Sequence, residues 1–93
     1  MIKSFADRRT SAMFQGKTPK GTPADLVART QRKLVMIDQA TQLDDLRVPP
    51  SNSLEALKGD RSSQHSIRVN DQWRICFVWQ DGDAHDVEFC DYH

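Results

Sequence analysis

Two arginines in the C-terminal third are the side chains best suited to hold an anion. Arg68 and Arg74 flank the polar stretch 70–72, which separates two runs of strand-like sequence. A three-residue turn there would place Arg68 opposite Arg74 on one face of a hairpin. Opposed like charges in a sheet are unfavourable, so either an anion lies between them or nearby carboxylates neutralise each one separately. Paired guanidiniums match phosphate in geometry and charge, which makes a phosphate clamp the functional interpretation.

The last three residues carry groups that are able to move protons. The chain ends in Asp91, Tyr92 and His93, directly after a strand-like run. Histidine is the side chain whose ordinary pKa lies closest to working pH, so His93 is a candidate general acid or base. Tyr92 would stack on a base or lend its hydroxyl, and Asp91 would orient a neighbouring Arg or His. The alternative is a solvated tail with a surface strand residue.

Composition predicts one globular domain spanning 1–93. The chain has 93 residues, 38% of them hydrophobic and 28% charged, with no apolar run of membrane-spanning length and no apolar N-terminal stretch. We therefore expect a cytoplasmic protein that contacts no membrane. Cys76 and Cys90 predict free thiols, and together with His85 and His93 they lack the paired close spacing of zinc ligands. We expect neither a metal nor a cofactor.

The net charge of zero conceals an asymmetry along the chain. Residues 1–33 hold eight of the 13 basic side chains but only two of the 13 acidic ones, which leaves five basic and eleven acidic residues after them. Such a distribution suggests a basic face that meets a polyanion, or simply a solvated helix surface.

The first half of the chain predicts helices. Residues 1–5 resemble a short strand and 7–15 a short helix, followed by a loop at 16–21. Thr22 and Pro23 are typical of a helix start, with Thr22 as N-cap and Pro23 at the first helical position. Apolar and small residues then recur at steps of three and four, which predicts an amphipathic helix to about Ala40 and one further turn at 43–46.

After Pro50 the pattern becomes that of strands. Ser53–Leu57 is a short candidate, 65–69 and 73–79 form the arms of the hairpin, and 84–90 follows a turn at 81–82. The arm 73–79 is apolar on both sides, which indicates a central strand. The predicted fold class is α+β: a small, mainly antiparallel β-sheet with two N-terminal helices packed on one face.

Four segments together resemble the HigB toxins of bacterial toxin–antitoxin modules, within the RelE/ParE superfamily. They are Lys58-Gly59-Asp60-Arg61, Ser66-Ile67-Arg68-Val69-Asn70, Trp73-Arg74-Ile75 and the terminal Asp91-Tyr92-His93. The opening Met1-Ile2-Lys3-Ser4-Phe5 and Ile37-Asp38-Gln39-Ala40-Thr41 followed by Leu43 are similar too. The similarity spans essentially the whole chain, in order and at matching distances.

This resemblance implies a metal-independent endonuclease that cuts messenger RNA in the ribosomal A site. The ribose 2′-OH would attack the adjacent phosphate and leave a 2′,3′-cyclic phosphate and a 5′-hydroxyl. At matching positions, Arg68, Arg74 and Lys58 would stabilise charge on the phosphate. Asp91, Tyr92 and His93 would move and orient protons. Several relatives carry a histidine three residues before the lysine, where this chain has Glu55, so the base is either Glu55 or Asp91 with His93.

The resemblance also implies partners. These would be the 70S ribosome and a HigA-type antitoxin with a helix-turn-helix fold, through which alone the pair would bind operator DNA. Basic residues of the N-terminal half and the arginine of the lysine motif would contact RNA: Arg8, Arg9, Lys17, Lys20 and Arg61. The alternatives are a ParE-like protein that inhibits DNA gyrase without catalysis, against which the terminal residues argue, and a stand-alone RNA-binding module.

Overall fold

The structure is a computed structural model that describes residues 1–91. Two α-helices come first, α1 (Arg8–Phe14) and α2 (Ala24–Gln39). Three short 3₁₀ helices follow in the connecting segments, at Leu43–Arg47, Pro50–Asn52 and Gly59–Arg61. The strands are β1 (Glu55–Ala56), β2 (His65–Arg68), β3 (Trp73–Gln80) and β4 (Asp83–Asp91).

Local sequence explains both helices, with one correction. Asp7 caps α1 because its side chain accepts a hydrogen bond from the Thr10 amide at 2.7 Å. In α2 the predicted capping by Thr22 is wrong. Pro23 is the N-cap, because the Val27 amide donates to the Pro23 carbonyl. No side chain caps the helix. The Thr22 amide instead donates to the Pro19 carbonyl in a preceding turn.

The sheet is a meander of four antiparallel strands in the order β1-β2-β3-β4. Its hairpin has the predicted register, with Arg68 opposite Arg74. Asn70 sets the turn because its side-chain oxygen accepts from the amides of both Gln72 and Trp73. The candidate strand 53–57 shortens to the two residues of β1.

The N-terminal segment joins the sheet more loosely than predicted. Instead of a continuous strand it makes two parallel bridges to β4, Ile2 with Ala84 and Phe5 with Val87. Between these bridges β4 bends at Asp86, whose φ of 52° is unusual for a residue other than glycine. A mainly antiparallel sheet is confirmed, since within residues 1–91 only this segment pairs in parallel.

The helices cover one face of the sheet and create the core there. Met13 of α1 and Leu34 of α2 are fully buried against Ile75 and Phe89 of the central strands. Trp73 stacks on Phe89 with ring centroids 4.3 Å apart. The predicted fold class, α+β with two N-terminal helices on one face, is confirmed. No helix among the described residues has both the length and the apolar character needed to cross a membrane.

The opposite face of the sheet is polar. The register places Glu55, Ser66, Cys76 and Glu88 in one row across the four strands. Arg68, Arg74 and Cys90 form the next row. Cross-strand neighbours share a face, so these side chains leave the backbone on the side of the sheet away from the helices.

Two buried threonines of the helices differ in their hydrogen bonding. The Thr10 hydroxyl accepts from the buried Phe89 amide at 2.9 Å, whereas the equally buried Thr30 hydroxyl has no partner among the described residues. Thr10→Val should lower the free energy of unfolding by about 1–3 kcal/mol, because the Phe89 amide loses its acceptor. Thr30→Val, the matched control, should be neutral or stabilising. Urea denaturation measures both, and equal losses would contradict this account.

Candidate active site

A cleft of about 500 Å³ lies on the polar face of the sheet. The segment from Glu55 to Arg61 forms one wall, and β3 and β4 form the floor and the other wall. Four residues predicted to do chemistry or to bind RNA line this cleft: Glu55, Lys58, Arg61 and Asp91. The structure therefore brings together side chains that are up to 36 positions apart in the sequence.

Arg74 lies beneath the cleft wall and is only 7% exposed. Its Nε donates to Ser66 Oγ at 2.7 Å, and its Nη2 donates to the carbonyls of Ser53 at 2.7 Å and Ser66 at 3.3 Å. Glu55 Oε1 lies 3.9 Å from the same Nη2. The guanidinium thus anchors the segment before β1 to the middle of the sheet and holds a carboxylate at the cleft.

Arg61 was predicted to contact RNA, and the structure places it inside the cleft. Its Nη1 donates to Glu88 Oε1 at 3.2 Å and to Gln64 Oε1 at 2.9 Å. The hydrogen bond with Glu88 raises the pKa of the guanidinium further, so its charge is permanent. Arg61 is therefore a fixed cation beside Lys58, which is exposed on the same wall.

The two cysteines form an interacting pair on the cleft floor. Cys76 is buried and Cys90 partly buried, and both are free thiols as predicted. Interaction with the Cys90 thiol lowers the pKa of Cys76 and raises the pKa of Cys90, while Cys90 Sγ donates to the Glu88 carbonyl at 3.5 Å. Residues 1–91 contain no cluster of three or more His, Cys, Asp or Glu side chains able to hold a metal ion.

Arg68 lies apart from this cleft although its backbone is paired with Arg74. Its Nε donates to the Asn70 carbonyl at 3.1 Å, and its Nη2 forms an ion pair with Asp71. The side chain lines a different groove, next to α2. The two guanidiniums thus have separate carboxylate neighbours, Asp71 and Glu55, which is the alternative that the spacing left open.

The basic side chains of the N-terminal region do not form one surface with the cleft. Arg8 and Lys17 border a shallow depression on α1. Arg9 lies 5.5 Å from the Trp73 ring centroid and donates to the Phe89 carbonyl, so it stabilises the aromatic stack. Lys20 is exposed in the loop before α2. Their RNA contacts stay predictions.

Sequence reasoning missed the partners that hold the site. Ser53 contributes a backbone carbonyl and Ser66 a hydroxyl to Arg74, while Glu88 fixes Arg61. The only available signal was alternation, which places Ser66 and Glu88 on the face away from the core. Tyr92 and His93 lie outside the described residues, so their predicted roles stay predictions.

The fold is similar to that of a solved chain from the YoeB-YefM complex of Staphylococcus aureus. The TM-score is 0.63 at 16% sequence identity, over 100% of this chain and 98% of that one. This likeness defines the class of the fold, a RelE-like arrangement of two helices on a four-stranded antiparallel sheet.

Sequence comparison identifies the family. The family described as "RelE-like toxin of type II toxin-antitoxin system HigB" matches residues 3–93. "Endoribonuclease HigB" of Proteus vulgaris is 39% identical over 93 residues, the full length of both chains. "Toxin HigB-1" of Vibrio cholerae serotype O1 is 36% identical over 85 residues, 90% of each chain. The chain belongs to the HigB-like toxins of type II toxin–antitoxin systems, which confirms the resemblance and favours a ribonuclease toxin over a gyrase inhibitor.

The contrast between Arg74 and Arg68 gives a stability prediction. Arg74→Ala should lower the free energy of unfolding by about 2–4 kcal/mol, because the buried acceptors of Ser66 and the partly buried carbonyl of Ser53 lose their donor. Arg68→Ala should cost less than about 1 kcal/mol, since its side chain is 41% exposed and Asp71 is 97% exposed. Urea titration of the two variants decides, and equal stability would contradict an anchoring role for Arg74.

The thiol pair gives a second prediction. Cys90→Ala removes the donor that stabilises the Cys76 thiolate, so the pKa of Cys76 should rise. Cys90→Ser keeps a hydroxyl donor and should leave the pKa of Cys76 closer to its value in the unaltered chain. The ultraviolet absorbance of the thiolate, followed against pH, reports both. A lower pKa in the alanine variant would show that the pair does not interact in this way.

Proposed function

We propose that this chain is a toxin that cuts messenger RNA in the ribosomal A site, without a metal ion. The observation that carries the proposal is the cleft itself. Two cations, Lys58 and Arg61, line it together with Glu55 and Asp91, and Arg74 is buried beneath its wall. The chain's full-length similarity to an endoribonuclease supports RNA as the substrate. That the RNA is messenger RNA, that it is cut on the ribosome and that no metal is needed are proposed from the family resemblance.

The chemistry requires one group to accept a proton, one to donate a proton, and cations at the phosphate. The ribose 2′-OH loses its proton as its oxygen attacks phosphorus, and the bond to the 5′ oxygen breaks as that oxygen gains a proton. A 2′,3′-cyclic phosphate and a 5′-hydroxyl result, with no water consumed. The residues of the cleft have to supply those functions while the phosphate carries additional negative charge.

Glu55 is the side chain in the described cleft best placed to accept the proton. Glu55 is exposed at the cleft wall, and its Oε1 lies 3.9 Å from Nη2 of Arg74. Lys58 and Arg61 would neutralise the phosphate oxygens during attack. Arg74, buried beneath the cleft wall, would stabilise the negative charge that develops on the phosphate, and Glu55 lies next to it. Asp91, Tyr92 and His93 complete the set, with His93 as the acid at the 5′ oxygen.

Membership of a toxin–antitoxin family gives this chain an antitoxin partner. We infer that the antitoxin is of the HigA type, with a helix-turn-helix fold, and that operator DNA is bound only through it. A cytoplasmic location follows from action on ribosomes. These are expectations from the family resemblance, and a gyrase-binding toxin remains the alternative to be tested.

One experiment separates the candidate functions. After brief induction, the 5′ ends of cellular messenger RNA are sequenced while chromosomal DNA is examined for damage. In-frame cuts inside codons support the proposal, whereas DNA damage with intact RNA indicates a gyrase poison. Efficient cleavage of naked RNA that requires added Mg²⁺ would place the chain in another class of nuclease.

Charge-removing variants of the cleft should lose cleavage while remaining folded. Lys58→Gln should lower the cleavage rate on programmed ribosomes about 10²–10³-fold, because one donor to the phosphate is lost. Glu55→Gln should slow it strongly because an amide cannot accept the proton. Lys3→Gln and Asp60→Asn are the matched controls, since both residues are exposed and neither lines the cleft. Full activity in both cleft variants would refute the assignment.

The terminal histidine gives a prediction of its own. His93→Gln should reduce cleavage and flatten its dependence on pH between about 5.5 and 7.5, since an amide does not titrate there and an imidazole does. Rates measured on programmed ribosomes across that range test it. A variant with the original rate and pH profile would leave proton donation to another group.

A further inference from the structure

A second, strongly basic groove lies between α2 and the β2-β3 hairpin. It has a volume of about 420 Å³, and Arg29, Arg32 and Lys33 of α2 face Arg68 across it. These four cations come from two elements that are 35 or more positions apart in sequence, measured from Lys33 to Arg68. In the sequence these cations of α2 belong to the basic residues of 1–33, which suggested either a face that meets a polyanion or a solvated helix surface.

The positive charge of this groove is poorly neutralised by the protein. Arg68 is paired with Asp71, but no carboxylate of residues 1–91 lies within 4.0 Å of a charged nitrogen of Arg29, Arg32 or Lys33. Asp25, one helical turn before Arg29, borders an adjoining depression. The fold therefore holds like charges close together, which is costly unless an anion binds between them.

The environment of Lys33 disfavours its positive charge. Burial, and then repulsion from Arg29 and Arg32, lower the pKa of its ammonium group. Its Nζ donates to Asn52 Oδ1 at 2.5 Å, and Asn52 is fully buried with its amide bonded to the Leu46 carbonyl. The hydrogen bond to Asn52 thus fixes the position of the Lys33 ammonium group.

The groove also continues the row of side chains that leads to the cleft. Arg68 is opposite Arg74 in the hairpin, and Arg74 is opposite Cys90 on the cleft floor. β1 ends before it reaches Arg68, because its two residues pair with His65 and Ser66. On the side of β2 away from β3, no strand of the described sheet therefore lies beside Arg68, and an extended polyanion in the cleft has a path past the end of β1 to α2.

We propose that this groove binds the phosphodiester backbone of RNA at a nucleotide flanking the one that is cut. Guanidinium forks from Arg29 and Arg32 and the Lys33 ammonium would each take a phosphate oxygen, and Arg68 would exchange Asp71 for phosphate. The inference rests on the proposed function for the identity of the polyanion. Arg68 is then a substrate-binding residue of the groove rather than of the cleft.

An RNA backbone fits this groove better than a protein segment does. The exposed large apolar side chains of residues 1–91 are Met1, Val35 and Val48, and none of them lines the groove. Protein interfaces are centred on apolar and aromatic anchors and are poor in lysine, whereas phosphate contacts are made mainly by Arg and Lys. An acidic antitoxin segment is the alternative occupant that the experiment has to distinguish.

The test compares two double variants of the full chain. Arg29→Gln with Arg32→Gln removes two groove cations, and both positions are exposed on a helix that tolerates glutamine. Lys3→Gln with Arg47→Gln is the control, because it changes the net charge equally at exposed positions outside the groove. The probe is a single-stranded 2′-O-methyl RNA of about 12 nucleotides, which cannot be cut by its own 2′ oxygen.

Binding of this probe is measured by fluorescence anisotropy over a range of salt concentrations. The groove variant should bind more weakly, and the slope of log affinity against log salt should fall by about 1.4, or about 0.7 for each lost phosphate contact. The control should keep the slope of the unaltered chain. Equal changes in the two variants would overturn the proposal, since net charge alone would then explain them.

A second measurement follows the antitoxin. If the groove variant binds the probe normally and loses its cognate antitoxin, the groove is a protein-docking surface and the proposal is wrong. Failure of the proposed function would look different: the unaltered chain would leave messenger RNA on programmed ribosomes uncut. Because the probe reports binding without cleavage, the slope still tests the groove in that case.

Discussion

A guanidinium that is almost fully buried has to keep its hydrogen-bond acceptors, and Arg74 imposes this constraint on the site. Removing such a charge from water costs several kcal/mol unless hydrogen bonds and a counter-ion replace the water. Ser66 and the Ser53 carbonyl supply the shortest bonds, both 2.7 Å, and Glu55 is the nearby carboxylate. The segment before β1 must therefore cross the sheet at this point. The cleft wall that carries Lys58 and Arg61 follows directly from that crossing.

The central strand β3 lets a chain of this size maintain both a core and a polar site. Ile75 and Phe77 point toward the helices and are fully buried, while Arg74 and Cys76 point to the other face and are nearly as buried. The apolar core thus lies on one side of the sheet and the candidate site on the other, with a single backbone between them. Changes on either face are transmitted through β3, because its register fixes both rows of side chains at once.

The sequence predicted backbone features better than side-chain partners. Periodicity of two and the turn at 70–72 were enough to predict the register that pairs Arg68 with Arg74, because hairpin geometry is local. The direction of each guanidinium was not predictable, since long side chains choose among partners that distant segments supply. Arg61 is the clearest case: its motif indicated RNA binding, but its hydrogen bond to Glu88, 27 positions later, could not be predicted. The start of α2 differed by one residue, the usual limit for helix ends.

The charges around the cleft determine how strongly the cleft alone would attract a polyanion. Three cations, Lys58, Arg61 and Arg74, are matched there by three carboxylates, Glu55, Glu88 and Asp91. Glu55 adds negative charge to the cleft and offsets Arg74. A nearly neutral cleft attracts a polyanion weakly, whatever its suitability for proton transfer. In the proposed function, attraction would come from cations outside the cleft, such as those of the groove at Arg29, Arg32 and Lys33. Proton transfer and part of substrate binding would then be divided between the cleft and the groove, with Arg68 between them.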